Sequence, residues 1–486
     1  MRSLSDFPDA HLRIFDRPPV PDAGTVRSVY LVGICGTGMG SLAGLFQQAG
    51  YEVSGSDKGM WPPMSTRLNA MQIPVHVGFD AAHLKPAPDL VIVGNACTPT
   101  HPEAAHARNA GLVQQSFPEA LAHFFIRDRR SIVVAGTHGK TSTTGLLAHV
   151  MRQAGTDAGF LVGGVLVADD TSYHTGPTGR HFVVEGDEYD SAYFDKRPKF
   201  MHYRPTVGIV TSLEFDHADI YADLDEYREA FRRFAGLVGE HLVLCADHPD
   251  VEALAAFTPA RVTRYGFSNA ADVTAKAIER IDGGTQFTLV VDGTEHAGFV
   301  LPMSGRHNLS NALAVSAVAL AEGLTPDQLR AGLASFQGMK RRQEVRGIVN
   351  DIVVVDDFAH HPTAVRATIE ATRDRWPGRR LLAVFEPRSN SSRRKMFETE
   401  YPASFADADL AFLSSPPLRH NDSADDFMNV DAVAEAITAG GTRTFVGSNA
   451  DQVLDALADA TAPGDVVLIM SNGGFGNIHQ RLLDVL

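Results

Sequence analysis

The chain has 486 residues, 44% of them hydrophobic, and 43 Lys+Arg against 58 Asp+Glu give a formal net charge of -15. That length calls for two or three hydrophobic cores, and that charge excludes a general affinity for nucleic-acid backbones, so any anionic ligand must be held by local features. Three widely spaced cysteines, Cys35, Cys97 and Cys245, suit a reducing cytoplasm and exclude a cysteine zinc site or a disulfide framework.

The opening MRSLSDFPDAHLRIFDRPPVPDAG lacks the apolar stretch and cleavage pattern of a signal peptide, and no later run reaches the ~20 apolar residues of a membrane span. A soluble, cytoplasmic protein with a partly flexible extension over residues 1–26 is expected. From there, short Val-, Ile- and Leu-rich runs alternate with stretches of helical spacing, three times over, as in parallel sheets covered by helices. The first block, residues 27–128, opens with RSVYLVGICGTGMGSLAGLFQQAG, a strand, a glycine-rich turn and a helix, and continues with strands at YEVSGSD and PDLVIVGNA. Gly33, Gly36, Gly38 and Gly40 follow the first strand and Asp57 ends the next, where a dinucleotide fold binds a ribose. Their spacing fits G-x-G-x-x-G poorly and hardly separates a nicotinamide cofactor from a UDP-sugar.

The second block, residues 129–338, begins at SIVVAGTHGKTSTTG. Its loop ends like a P-loop, but Val134 stands where the leading glycine belongs and Gly136 begins a shorter turn. Gly136 and Gly139 let the backbone approach phosphate, Lys140 can reach the outer phosphates, and the Thr141 hydroxyl can hold Mg²⁺ at the start of a helix. Two later strand ends are acidic: VVEGDEYD, with Glu185, and SLEFDHADIY, with Glu214, Asp216 and His217. Mg²⁺ favours oxygen ligands, so Thr141, one carboxylate and waters form a workable set to which His217 is a less usual addition; otherwise these are solvated strand ends. Residues 272–301 alternate in period two between glycine turns, predicting a small antiparallel element, and GRHNLSNALAVSAVALAEGL predicts an amphipathic helix ending near Gly323.

The third block, residues 339–486, starts near QGMKRRQEVRG and repeats the alternation with DIVVVDDFAHHP, RRLLAVFEPRSN, DLAFLSS, TRTFVG and DVVLIMSNGGFG. In DDFAHHPTA, two Asp and two His fall close together. Asp357 and His360 are read as strand-end contacts to a ligand or to a helix start at Pro362 and Thr363, rather than as metal ligands. Arg341, Arg342, Arg346 and Arg388 are candidate anion clamps.

In order along the chain, GTHGKTS, EGDEYD, LEFDHADIY, GRHNLSNALA and DDFAHHPTA resemble the ATP-dependent Mur ligases of peptidoglycan synthesis. DEYDSAYFDKRPKF, EPRSN and SNGGFGNIHQ resemble the recycling branch of that family, which joins UDP-N-acetylmuramate to the tripeptide L-Ala-γ-D-Glu-meso-diaminopimelate. The resemblance implies a three-domain α/β enzyme: a Rossmann-like N-terminal domain for UDP-N-acetylmuramate, a central P-loop-type ATPase domain with a mostly parallel sheet, and a Rossmann-like C-terminal domain for the peptide. It implies ATP and Mg²⁺ as cofactors, an acyl phosphate on the lactyl carboxylate, and attack on it by the peptide amine. No nucleic acid, membrane or obligatory protein partner is implied.

Carried over by motif, Lys140, Glu185 and His217 would be catalytic, and Thr141, Glu185 and His217 would bind the metal. Gly136, Thr137, His138, Gly139, Lys140, Thr141 and Ser142 would cradle ATP, with His307, Asn308, Asn311, Arg342, Asp357 and His360 around it. Gly36, Gly38, Met39, Gly40, Ser56, Asp57 and Asn95 would face the UDP-sugar, and Arg388, Asn390 and Asn472 the peptide. The stretch ADLDEYREAFRRF has no lysine to form the carbamate that several Mur ligases carry there. Alternative readings are the L-alanine-adding ligase, a nicotinamide-dependent oxidoreductase, which leaves the phosphate loop and acidic clusters unexplained, and a binding protein that hydrolyses ATP without ligation.

Overall fold

Three sheets, whose central strands carry apolar runs buried on both faces, order the chain; the computed structural model describes residues 3–61, 64–416 and 426–486. The N-terminal sheet holds β1 (Ser28–Val32), β2 (Glu52–Asp57), β3 (Val75–Val77), β4 (Leu90–Val93) and β5 (Gln114–Ser116) in the order β3-β2-β1-β4-β5, all parallel. The order reverses beside β1, whose carboxyl end leads through Gly33 into the helix Thr37–Gln48. Two glycines let that helix pack closely: a Cβ at Gly40 would lie 2.2 Å from Met64 Sδ, and one at Gly44 2.2 Å from the Tyr173 hydroxyl.

The central sheet has ten strands: β6 (Arg130–Ala135), β7 (Gly159–Leu166), β8 (Thr171–His174), β9 (His181–Gly186), β10 (Val207–Val210), β11 (His241–Cys245), β12 (Arg261–Tyr265), β13 (Val273–Ile281), β14 (Gly284–Val291) and β15 (Thr294–Leu301). They lie in the order β15-β14-β13-β12-β11-β10-β6-β9-β7-β8. In that spatial order the strands from β13 across to β7 pair in parallel, while β14, β15 and β8 pair antiparallel at the two edges. The antiparallel element expected over residues 272–301 therefore forms as an extension of this sheet. Its period-two signal survives because β13 is exposed over most of its length. β7 and β8 gave no comparable signal, since GFLVGGVL is broken by two glycines and DDTSYH is polar.

The helix Arg306–Ala321, expected to be amphipathic, is buried around nearly its whole circumference. It is covered by the helix Lys140–Gln153 on one side, by β11 to β13 on another, and by the helix Pro362–Arg375 of the third block. The third sheet holds β16 (Glu344–Val349), β17 (Ile352–Asp357), β18 (Leu381–Glu386), β19 (Leu410–Ser414), β20 (Arg443–Gly447) and β21 (Val466–Ser471) in the order β16-β17-β21-β18-β19-β20, parallel apart from β16.

One continuous apolar core serves the first two sheets, from Val26 to Met339, while the third sheet has separate clusters on its two faces. A further cluster packs Ala192, Tyr193 and Phe194, from the segment after β9, on Tyr30 and Val32 of the N-terminal sheet. The segment before β1 lies across this junction. Phe15 stacks on Tyr193, Arg17 forks onto Glu119 at 2.7 and 2.9 Å, and Arg13 donates to the Tyr193 carbonyl at 3.1 Å. Among the described residues, no helix is long and apolar enough to cross a membrane.

Candidate active site

The phosphate loop leaves the carboxyl end of β6 between β10 and β9, so the ends of those two neighbours flank it. Its backbone requires glycine twice. Gly136 sits at φ 132° with a would-be Cβ 2.1 Å from Thr211 Oγ1, and Gly139 sits at φ 81° with one 2.7 Å from Asn311 Oδ1. Gly139 is the N-cap of the helix Lys140–Gln153, whose first amides remain for an anion.

Beneath the loop runs a buried polar chain. Lys140 Nζ donates to the Gly136 carbonyl at 2.6 Å and to Glu188 at 2.8 and 3.1 Å, and His217 Nε2 lies 3.2 Å from Glu188 Oε1. Burial opposes charge on every member, yet the mutual pairing prevails. Glu188 is held down to about 2 by Lys140 and His217, and His217 is pushed up to about 9 by Glu188 and Asp216. Lys140 likewise stays protonated. Glu188 lies within EGDEYD, where a buried lysine's need for a counter-charge, met by a second carboxylate at the same strand end, is the one sequence signal for it.

Glu185, also at the end of β9, differs from Glu188. Burial first, then Asp187, raises its pKa, and its Oε1 is buried with no hydrogen-bond partner. Gly163 keeps the other oxygen uncrowded, since a Cβ there would approach Oε2 to 2.8 Å. An orphaned carboxylate oxygen close to the Thr141 hydroxyl is a donor set that fits Mg²⁺, because a divalent cation would restore the carboxylate charge that burial disfavours. His217 stands one residue removed, its Nε2 facing Glu188.

The third domain reaches this site through residues 339–343. Arg342 donates to Thr141 Oγ1 at 3.2 Å, and Asp357 accepts from the Gln343 amide at 2.8 Å. Gln343 Nε2 in turn lies 3.2 Å from His307, whose burial lowers its pKa to about 4. Asn308 turns back and donates to the Ser304 carbonyl at 2.8 Å, just before the start of its own helix. His360 is held by the Phe358 carbonyl and faces Asp216 rather than the loop lysine.

The remaining candidates form two further groups. In the N-terminal domain, Asp57 closes the glycine turn by accepting from the Cys35 amide at 2.8 Å, Ser56 is bonded to the buried Glu103, and Asn95 donates to Asp190 at 3.2 Å across the domain junction. Met39 is buried, and Gly36 is the N-cap of the following helix, in which Gly38 faces Phe117. In the third domain, Asn390 donates to Asp219 at 2.9 Å and Ser391 Oγ accepts from the His217 amide at 3.2 Å, so EPRSN touches the loop that carries His217. Arg388 lies against Gly473, next to Asn472, whose Oδ1 is buried and unpartnered.

The family described as Mur ligase family, catalytic domain, matches residues 28–129; Mur ligase middle domain matches 134–319; and Mur ligase, glutamate ligase domain, matches 341–473. The UDP-N-acetylmuramate–L-alanyl-γ-D-glutamyl-meso-2,6-diaminoheptandioate ligase of Escherichia coli K12 is 38% identical over 465 residues, covering 94% of this chain and 98% of the relative. The UDP-N-acetylmuramate–L-alanine ligase of Desulforapulum autotrophicum is 34% identical over 467 residues, with coverage of 94% and 98%. A crystal structure of a murein peptide ligase from Psychrobacter arcticus superposes with a TM-score of 0.72 at 36% identity, over 94% of this chain and 98% of that one.

Proposed function

The chain belongs to the Mur ligase family of ATP-dependent amide ligases, and from that premise we propose that it joins UDP-N-acetylmuramate to the tripeptide L-Ala-γ-D-Glu-meso-diaminopimelate. ATP would phosphorylate the lactyl carboxylate, and the peptide's α-amine would attack the acyl phosphate, expelling phosphate and forming the amide. The observation that supports this most is the polar chain Lys140–Glu188–His217–Ser391, which links the phosphate loop to the third domain at the residue that follows EPRSN. The phosphate loop and that part of the third domain thereby share one framework.

Thr141 and Glu185, with His217 nearby, would hold Mg²⁺, which when bound offsets charge gathering on phosphate oxygens. The protein's own groups do the rest. The amides opening the helix Lys140–Gln153 orient the phosphates, and Lys140, delivered ionised by Glu188, stabilises the transferring group. Arg342 adds a second positive charge only while the third domain lies over the loop, which also excludes water from an acyl phosphate that would otherwise hydrolyse.

The test is phosphate release from ATP and Mg²⁺ with UDP-N-acetylmuramate, comparing the tripeptide with L-alanine. Tripeptide-dependent turnover with a UDP-muramyl-tripeptide product by mass spectrometry supports the reading. Turnover with L-alanine alone assigns the chain to the biosynthetic reaction, and silence with both removes the substrate assignment.

A further inference from the structure

Three side chains given no step in the phosphoryl transfer above, one of them on a residue of the expected ATP cradle, converge where the third domain meets the phosphate loop. His138 belongs to the loop, Glu214 follows β10, and His361 is the N-cap of the helix Pro362–Arg375. His138 Nε2 lies 3.1 Å and His361 Nδ1 3.5 Å from the same atom, Glu214 Oε2, and all three donor atoms fall within 4.8 Å of one another. Donors around a tetrahedral zinc, each ~2.0–2.2 Å from the ion, stand roughly 3.3–3.5 Å apart. Two imidazoles and one carboxylate suit zinc and disfavour magnesium.

The surroundings agree. His361 is buried and accepts only a long 3.3 Å bond from the Thr363 amide, so its Nδ1 lone pair is lightly used. Asp216 adds a second negative charge facing His361. The edge of Phe397 packs on the His361 ring at 4.5 Å between centroids and limits its swing.

We propose that His138, Glu214 and His361 form a zinc site, separate from the magnesium of phosphoryl transfer, that latches the third domain onto the phosphate loop. Two ligands come from the central domain and one from the third. Zinc therefore binds the closed arrangement, favours it by mass action, and slows a catalytic cycle that must reopen.

The full-length chain, free of nucleotide and in millimolar Mg²⁺, is titrated with Zn²⁺ against a chromophoric chelator. One zinc per chain is expected, with Glu214→Gln and His361→Asn each weakening binding at least tenfold. Asn retains helix N-capping and Gln is isosteric with Glu, so both variants should melt as folded proteins without metal. Co²⁺ is expected to give the visible absorption of a tetrahedral site in the parent chain and in neither variant, and zinc is expected to reduce the radius of gyration in small-angle scattering. Displacement of zinc by magnesium, or equal affinity in both variants, overturns the site; an unchanged radius overturns the latch.

Discussion

Glu188 shows how much a single buried carboxylate can organise. It neutralises the loop lysine and holds His217 protonated, and both ion pairs disappear in Glu188→Gln. An ammonium buried without its partner costs about 3–5 kcal/mol, so the variant is expected to melt at lower temperature and to lose ligation by roughly 10²-fold or more, the scale of a lost electrostatic contact in an active site. Thermal melts with single-turnover phosphate release check both. Lys140→Ala should abolish ligation while UDP-N-acetylmuramate still binds, because that sugar is proposed to sit on another domain; isothermal titration decides. Gly139→Ala forces a left-handed backbone that costs an L-residue about 1–2 kcal/mol and drives its Cβ against Asn311. Loss of ATP turnover with UDP-sugar binding retained is the expected outcome. The glycines and Lys140 were legible because P-loop chemistry dictates those residue types. Glu188 was not, since pairing across 48 residues leaves no local pattern.

At the scale of elements, the buried helix Arg306–Ala321 ends in a strut. Glu322 accepts from Arg130 at 2.8 Å through both oxygens and lies 2.9 Å from His181, tying the helix end to the starts of β6 and β9. Burial would raise the Glu322 pKa, but His181 and Arg130 lower it to about 2 from the usual 4.5. Its folded-state pKa is depressed, so its contribution is complete above about pH 4.5 and is lost as pH falls through the range toward 2. Glu322→Gln is expected to cost about 1–3 kcal/mol at pH 7, the worth of hydrogen bonds to a charged group, with the gap to the parent chain narrowing below about pH 4.5 in denaturant titrations. Ligase activity at pH 7 should persist, as the strut lies at the opposite ends of the strands from the phosphate loop. The central strands were readable as apolar runs because they are buried on both faces. β16 was not named in advance, because an edge strand such as EVRGIV alternates with charges and a glycine.

For the whole molecule, the distribution of the core sets the expectation. The first two domains share one apolar core and the third has its own, so calorimetry should resolve two transitions, the larger belonging to residues before about 340. A single transition would mean that the polar contacts at residues 339–343 couple all three domains. Arg17→Ala removes the fork that straps the N-terminal segment to Glu119 and should lower only the larger transition, by a few degrees for a loss of about 1–3 kcal/mol.

Local chemistry, the sequence by itself, determined the three α/β blocks, the phosphate loop and the acidic strand ends, because burial on two faces demands apolar runs and phosphate contact demands glycine, lysine and a helix start. Which side chains meet depended on the tertiary structure. The pairing of Lys140 and His217 through Glu188, the fusion of two blocks over one core, and the convergence of His138, Glu214 and His361 arise from elements far apart in the chain. Only packing in three dimensions brings such groups within hydrogen-bonding distance.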